Sequence, residues 1–131
     1  MHVAPGATAE VSLVVTPDRT ADALGNPGVQ VLGTPFLVGL LEQACHAVLA
    51  PHLPSGAGTV GTLVEMRHLA PTPVGLTVRA RARLLEGDGR RFLFAVEAWD
   101  DREKVAEGRH ERFVLPDLAR FLARAAAKAR P

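Results

Sequence analysis

Gly33-Thr34-Pro35-Phe36-Leu37-Val38-Gly39-Leu40-Leu41-Glu42 is an almost wholly apolar run that ends on a single carboxylate, and its reading decides the fold. Pro35 suits the first turn of a helix, where its missing N–H is no loss, and Thr34 reads as the N-cap. From Phe36 to Leu49 nearly every position is apolar, so the helix has no wide face for water and is expected to be buried. An ionised glutamate in such a place is costly unless it is paired, hydrated or facing a cavity. Glu42 therefore breaks the local pattern, as functional residues do.

The rest of the chain sets the bounds. At 131 residues it reads as one domain (1–131), with a core over about 10–115 and a C-terminal helix over about 117–129. Fifteen Lys and Arg face fourteen Asp and Glu, so the formal charge of +1 leaves no electrostatic footprint for nucleic acid. The apolar helix is too short to cross a membrane and contains Glu42, Gln43 and His46. The start, Met1-His2-Val3-Ala4-Pro5, lacks the basic-then-apolar pattern of a signal peptide. Cys45 is the only cysteine, so no internal disulfide forms. A cytoplasmic protein is the expectation.

Before the helix, Glu10–Val15 reads as a strand, and 19–33 as a loop around Gly25-Asn26-Pro27-Gly28. Four strand-like runs follow it. In Val60–Leu69, a period of two puts Val60, Thr62, Val64, Met66 and His68 on one face. Leu76, Val78, Ala80, Ala82 and Leu84 alternate with Thr77, Arg79, Arg81 and Arg83, the pattern of a half-buried strand. Gly87-Asp88-Gly89 signals a hairpin into Phe92, Phe94, Val96 and Ala98. The last strand, Lys104–Leu115, sets Ala106, Gly108, His110, Arg112 and Val114 on one face. From Asp117 the chain reads as a helix whose Arg120, Arg124 and Lys128 form a solvated stripe. A strand, a long apolar helix and four antiparallel strands make an α+β architecture in which a curved sheet wraps the helix, the hot-dog fold. Such a sheet has open edges that pairing with a second copy closes, so a homodimer, or a tetramer of two dimers, is expected.

Several chemistries drop out. The only serines, Ser12 and Ser55, lack the strand–turn–helix context of a hydrolase elbow. Gly56-Ala57-Gly58-Thr59-Val60-Gly61 matches a dinucleotide fingerprint by letter but leads from a helix into a strand, the reverse of the required order. Glu42 and His46 stand four apart but have no evident third ligand, so no metal site is expected. Cys45, mid-helix with no basic neighbour in sequence, reads as a small core residue. Thr34, Glu42 and His68 remain. Each has a plain structural reading: a cap, an ion pair to Arg112 across a dimer, and a core histidine. Together they offer a hydroxyl, a carboxylate and an imidazole around one pocket, enough for acyl transfer without a serine or cysteine. Thr34 and Glu42 lie about 12 Å apart along an ideal helix, so they flank a substrate rather than bond each other.

Four segments carry a resemblance: Gly33–Glu42, Gly61-Thr62-Leu63-Val64-Glu65-Met66-Arg67-His68, Pro71-Thr72-Pro73-Val74-Gly75-Leu76-Thr77-Val78 and Gly108-Arg109-His110-Glu111-Arg112. Over about Val31–Phe113 the chain resembles the fluoroacetyl-CoA thioesterase-like branch of the hot-dog thioesterases. That resemblance implies that Thr34, Glu42 and His68 are catalytic. It also implies that the Gly61 backbone approaches the acyl group and that Arg112 lies near the site. It further implies hydrolysis of an acyl-CoA, without metal or cofactor beyond the CoA of the substrate, in a pocket at a dimer interface. Phe36, Val64, Met66 and the 22–30 loop would shape the acyl pocket. Fluoroacetyl-specific members carry aromatic residues in that loop, and Asp22–Gln30 has none, so the acyl group stays open. A hot-dog hydratase or dehydratase and a non-catalytic acyl-CoA-binding module are the rival readings. The dehydratases place their histidine before the helix, whereas His68 follows it, and a binding module has no need of Glu42.

Overall fold

Alternating apolar and polar residues give the strands after residue 76 one face to bury, and the apolar helix supplies the surface that covers it. The computed structural model describes all residues, Met1–Pro131. The elements are β1 (Thr8–Val14), α1 (Thr34–Leu49), β2 (Gly58–His68), β3 (Thr77–Gly87), β4 (Arg91–Trp99), β5 (Lys104–Leu115) and α2 (Leu118–Ala126), with short 3-10 turns at Pro17–Arg19, Asp22–Leu24, Ala50–His52 and Ala127–Ala129. No helix is long and apolar enough to cross a membrane.

All five strands form one antiparallel sheet in the order β1-β3-β4-β5-β2. Its buried face carries Val78, Ala80, Ala82 and Leu84 from β3, and Phe92, Phe94, Val96 and Ala98 from β4. Leu37, Leu40, Leu41, Ala44, Cys45, Val48 and Leu49 of α1 pack onto it. Each such Leu, Val or Phe contributes roughly 1.5–3 kcal/mol by leaving water. The alanines let the helix lie close to β3 and β1, its main supports. Toward β5 and β2 the helix stands off from the sheet, and the functional residues gather in that gap.

Five local readings are corrected. β1 starts two residues earlier than its pattern suggested, and β3 continues to Gly87 through a bulge between Leu84 and Glu86. Of the last four strands only β3, β4 and β5 lie side by side in chain order, because β2 pairs with β5 at one edge while β3 lies beside β1 at the other. The 69–76 connection that crosses between them is pinned by Leu32 N–H to Thr72 O at 2.8 Å and by the Thr72 hydroxyl to Asp100 at 2.9 Å. In β2 a bulge between Gly61 and Leu63 shifts the register by one residue. Gly61, Val64, Met66 and His68 therefore pair with the inward residues Arg112, His110, Gly108 and Ala106, while Val60 and Thr62 leave the face assigned to them. Finally, Gly33, not Thr34, is the N-cap of α1: its carbonyl accepts from Phe36 N at 3.0 Å, and Thr34 is already helical. The Thr34 hydroxyl makes no cap because it bonds elsewhere.

Arg79, Arg81 and Arg83 point away from the core, opposite Ser12, Glu10 and Thr8 of β1. Gly56, at φ +81°, turns the chain into β2, so the glycine-rich match is a turn and not a phosphate loop.

Candidate active site

Two side-chain groups face the gap between α1 and the β5–β2 edge. The first joins Thr34 at the start of α1 to His68 at the end of β2: Thr34 Oγ1 lies 2.8 Å from His68 Nδ1. The other ring nitrogen, Nε2, is buried and has no hydrogen-bond partner in the protein. Burial holds the His68 imidazole below its ordinary pKa, with the Ala70 backbone opposing part of the shift, so the neutral ring is favoured. A neutral imidazole with one nitrogen held by a hydroxyl and the other unengaged is equipped to pass a proton.

The second group surrounds Glu42, two turns further along α1 and half-buried. Its carboxylate lies against the Gly61 backbone, since a Cβ at Gly61 would be only 2.7 Å from Glu42 Oε1 and 2.8 Å from His110 Cε1. Glycine is required there by close approach, not by an unusual dihedral. Arg112, 8% exposed, stands beside Glu42 of the same chain and lines the same hollow. It makes no salt bridge. Nε and one terminal nitrogen donate to Thr59 Oγ1 at 2.9 Å and Thr59 O at 3.1 Å, and the other terminal nitrogen donates to His110 Nε2 at 3.1 Å. His110, 1% exposed, donates from Nδ1 to Leu63 O at 2.8 Å. His46 Nδ1 lies 2.6 Å from Thr59 Oγ1. Gly39, Glu42, Gln43, His46 and Arg112 line an open hollow of about 440 Å³.

The expected residues are thus brought to one side of the helix but not into a single hydrogen-bonded triad. Thr34 pairs with His68, and Glu42 clusters with Gly61 and Arg112. No hydrogen bond links His68 to Glu42; His68 is held by the threonine instead. Phe36 is half-buried and packs on the core, near Gly33 and Leu24 at the mouth of the 22–30 loop. Sequence reasoning missed His110, Thr59 and His46. His110 shares the face of Arg112 on β5, and His46 stands four residues after Glu42, so both had a positional signal. Thr59 had none, because the bulge that turns it inward has no signature in the sequence. Cys45 is buried, and burial pushes its thiol up to about 12, with Arg112 opposing and Glu42 reinforcing the shift, which removes it from nucleophilic chemistry.

A long helix wrapped by a five-stranded antiparallel sheet, with polar groups gathered where the helix leaves the sheet, defines a hot-dog protein. A hot-dog-like protein from Thermanaerovibrio acidaminovorans shares the fold at a TM-score of 0.85 and 22% identity, over 97% of this chain and 93% of that one. The sequence model of the fluoroacetyl-CoA-specific thioesterases matches residues 15–117. A fluoroacetyl-CoA thioesterase from Streptantibioticus cattleyicolor is 41% identical over 99 residues, which are 76% of this chain and 70% of that protein. The crystal structure of a fluoroacetyl-CoA thioesterase superposes with a TM-score of 0.90 at 36% identity, covering 100% of both chains. A thioesterase superfamily member from Thermus thermophilus gives 0.87 at 31%, over 98% of this chain and 96% of that one. The chain belongs to the fluoroacetyl-CoA-specific thioesterase family, a family of thioester hydrolases.

Proposed function

We propose that this protein hydrolyses a small or medium acyl-CoA thioester to the free acid and CoA, with Thr34, Glu42 and His68 as its catalytic residues. The observation that carries this reading is the seating of the Glu42 carboxylate against Gly61, beside a cation that does not pair with it. Such a carboxylate keeps its lone pairs for chemistry. It attacks the thioester carbonyl to give a transient acyl anhydride, or it takes a proton from a water that attacks. Either route builds negative charge on the carbonyl oxygen, which the Arg112 guanidinium beside Glu42 stabilises. Collapse breaks the C–S bond, and the Nε2–H of the neutral His68 ring hydrogen-bonds the departing CoA thiolate without giving up its proton. The thiolate is protonated by the proton that Glu42 took from the attacking water or, on the anhydride route, by the water that then opens the anhydride. Thr34 donates to Nδ1 and so keeps the proton on Nε2. No metal or cofactor is required beyond the CoA that the substrate brings. A structure of a relative holds acetyl-CoA, which supports a CoA thioester as the ligand class.

A homodimer belongs to the same proposal. β2 is an edge strand, with Leu63 40% and Val64 38% exposed, and an open edge of this kind is closed by a second copy. That pairing sets the gap beside α1 at the subunit interface. Light scattering is expected to give twice the chain mass, or four times if dimers pair, and a monomer would refute this part. A cytoplasmic location follows from a CoA thioester as substrate.

Thiol release from acyl-CoAs running from acetyl to long-chain and aryl, for wild type beside Glu42→Ala, tests the whole. Wild type is expected to release CoA from short members, and Glu42→Ala to fall to background while remaining folded. Undiminished turnover in the variant would remove Glu42 from the chemistry. Interconversion of enoyl and hydroxyacyl forms without thiol release would favour a hydratase, and binding without turnover a non-catalytic acyl-CoA-binding module.

A further inference from the structure

Arg112 is a buried cation without a counter-ion; the ion pairs of the protein lie at Arg91 and Lys104. Taking a guanidinium out of water next to a free carboxylate normally produces a salt bridge. Here its donors are drawn away, and the proton positions follow from the partners. Leu63 O can only accept, so His110 Nδ1 carries a proton. Arg112 can only donate, so His110 Nε2 accepts and the ring is neutral. Thr59 Oγ1 likewise accepts from Arg112 Nε, and its own proton needs an acceptor, which His46 Nδ1 supplies.

We propose that His46, acting through the Thr59 hydroxyl, is a positioning residue that holds the Arg112 guanidinium short of a salt bridge with Glu42. The inference rests on Glu42 being the catalytic carboxylate proposed above. With His46 in place the Thr59 lone pair is aimed at Arg112 Nε. Without it the hydroxyl rotates, Arg112 loses a directed acceptor, and the guanidinium swings onto Glu42. The resulting ion pair consumes the lone pairs that the carboxylate needs, so kcat falls while substrate affinity is kept.

The test measures kcat and KM on acetyl-CoA for His46→Leu, Thr59→Val and the pair, with His46→Asn and Thr59→Ser as conservative variants. Losing one directed bond to a charged group is expected to lower kcat by roughly ten- to a hundredfold with KM unchanged. The double variant is expected to be no worse than either single, and Asn or Ser to restore most of the rate. Additive losses, losses confined to KM, or failure of the conservative variants to rescue would overturn the proposal. Imidazole ¹⁵N shifts provide a readout independent of turnover: His46 Nδ1 is expected to be unprotonated and hydrogen-bonded in wild type and to shift in Thr59→Val. A protonated Nδ1 at neutral pH, or no response to Thr59→Val, would also overturn it. If wild type releases no thiol from any acyl-CoA, the thioesterase reading fails, and the ¹⁵N shifts still decide the hydrogen-bond chain.

Discussion

A single methyl group at Gly61 would occupy the place where the Glu42 carboxylate rests, 2.7 Å from Oε1, and would also press on His110. Gly61→Ala is therefore expected to lower kcat by about a hundredfold, the scale of a 1 Å misplacement of a catalytic group, while circular dichroism stays that of wild type. Unchanged kcat would mean that the carboxylate does not work from this seat. Cys45 gives the opposite kind of expectation. Buried on α1, with its thiol pushed up to about 12, it should not react with a thiol reagent in the native protein and should titrate once per chain after denaturation. A thiol-release assay then reads CoA alone. At this scale Glu42, Thr34 and His68 were legible because each is a polar group set in an apolar pattern. The partner each one takes was not, since hydrogen bonds between residues far apart in sequence depend on how the elements meet.

Elements were legible wherever period and punctuation agreed. The helix starting at Gly33-Thr34-Pro35 and the alternation of β3, β4 and β5 follow directly from side-chain spacing. The bulge in β2 was not legible, and its effect is large. It adds one residue at Thr62, whose hydroxyl turns to Glu111 at 2.7 Å, and it sends Thr59 and Gly61 inward. Deleting Thr62 removes the unpaired residue and is expected to restore regular pairing while Thr59 and Gly61 stay inward, opposite Val114 and Arg112. Thiol release and the far-UV strand signal should both survive, with only the Thr62–Glu111 bond lost; loss of activity would show that the local kink of the bulge, and not only its register, positions the site. The neighbour of β2 was also beyond the sequence. Both β3 and β5 present alternating faces of the right length, and only the covering of α1 places β2 beside β5.

The whole molecule carries a pH dependence. Burial holds His46, His68 and His110 below the ordinary histidine value of 6.5, with Arg112 adding to the shift at His46 and, after the opposing Leu63 bond, at His110. The unfolded chain takes up protons on these rings below about pH 6.5, where the folded chain resists them, so folding favours high pH. Stability is expected to be flat above about pH 6.5 and to decline as pH falls below it, through the folded pKa values. The carboxylates held low, Asp100 and Glu111 among them, have ordinary values of 3.8 and 4.5 and act only at lower pH. Thermal unfolding between about pH 8 and pH 5 should show the decline, and a flat Tm would refute buried neutral imidazoles. By itself the sequence determined the architecture, because spacing of apolar side chains fixes which face each element must hide. It also determined that Glu42 is out of place, because an apolar helix has no use for a charge. Only the tertiary structure decided what surrounds that charge. The sheet order, the bulge and the Thr59–Arg112–His110 bonds arise from strands meeting across about fifty positions of chain, and their geometry is set by packing against α1 rather than by any local preference.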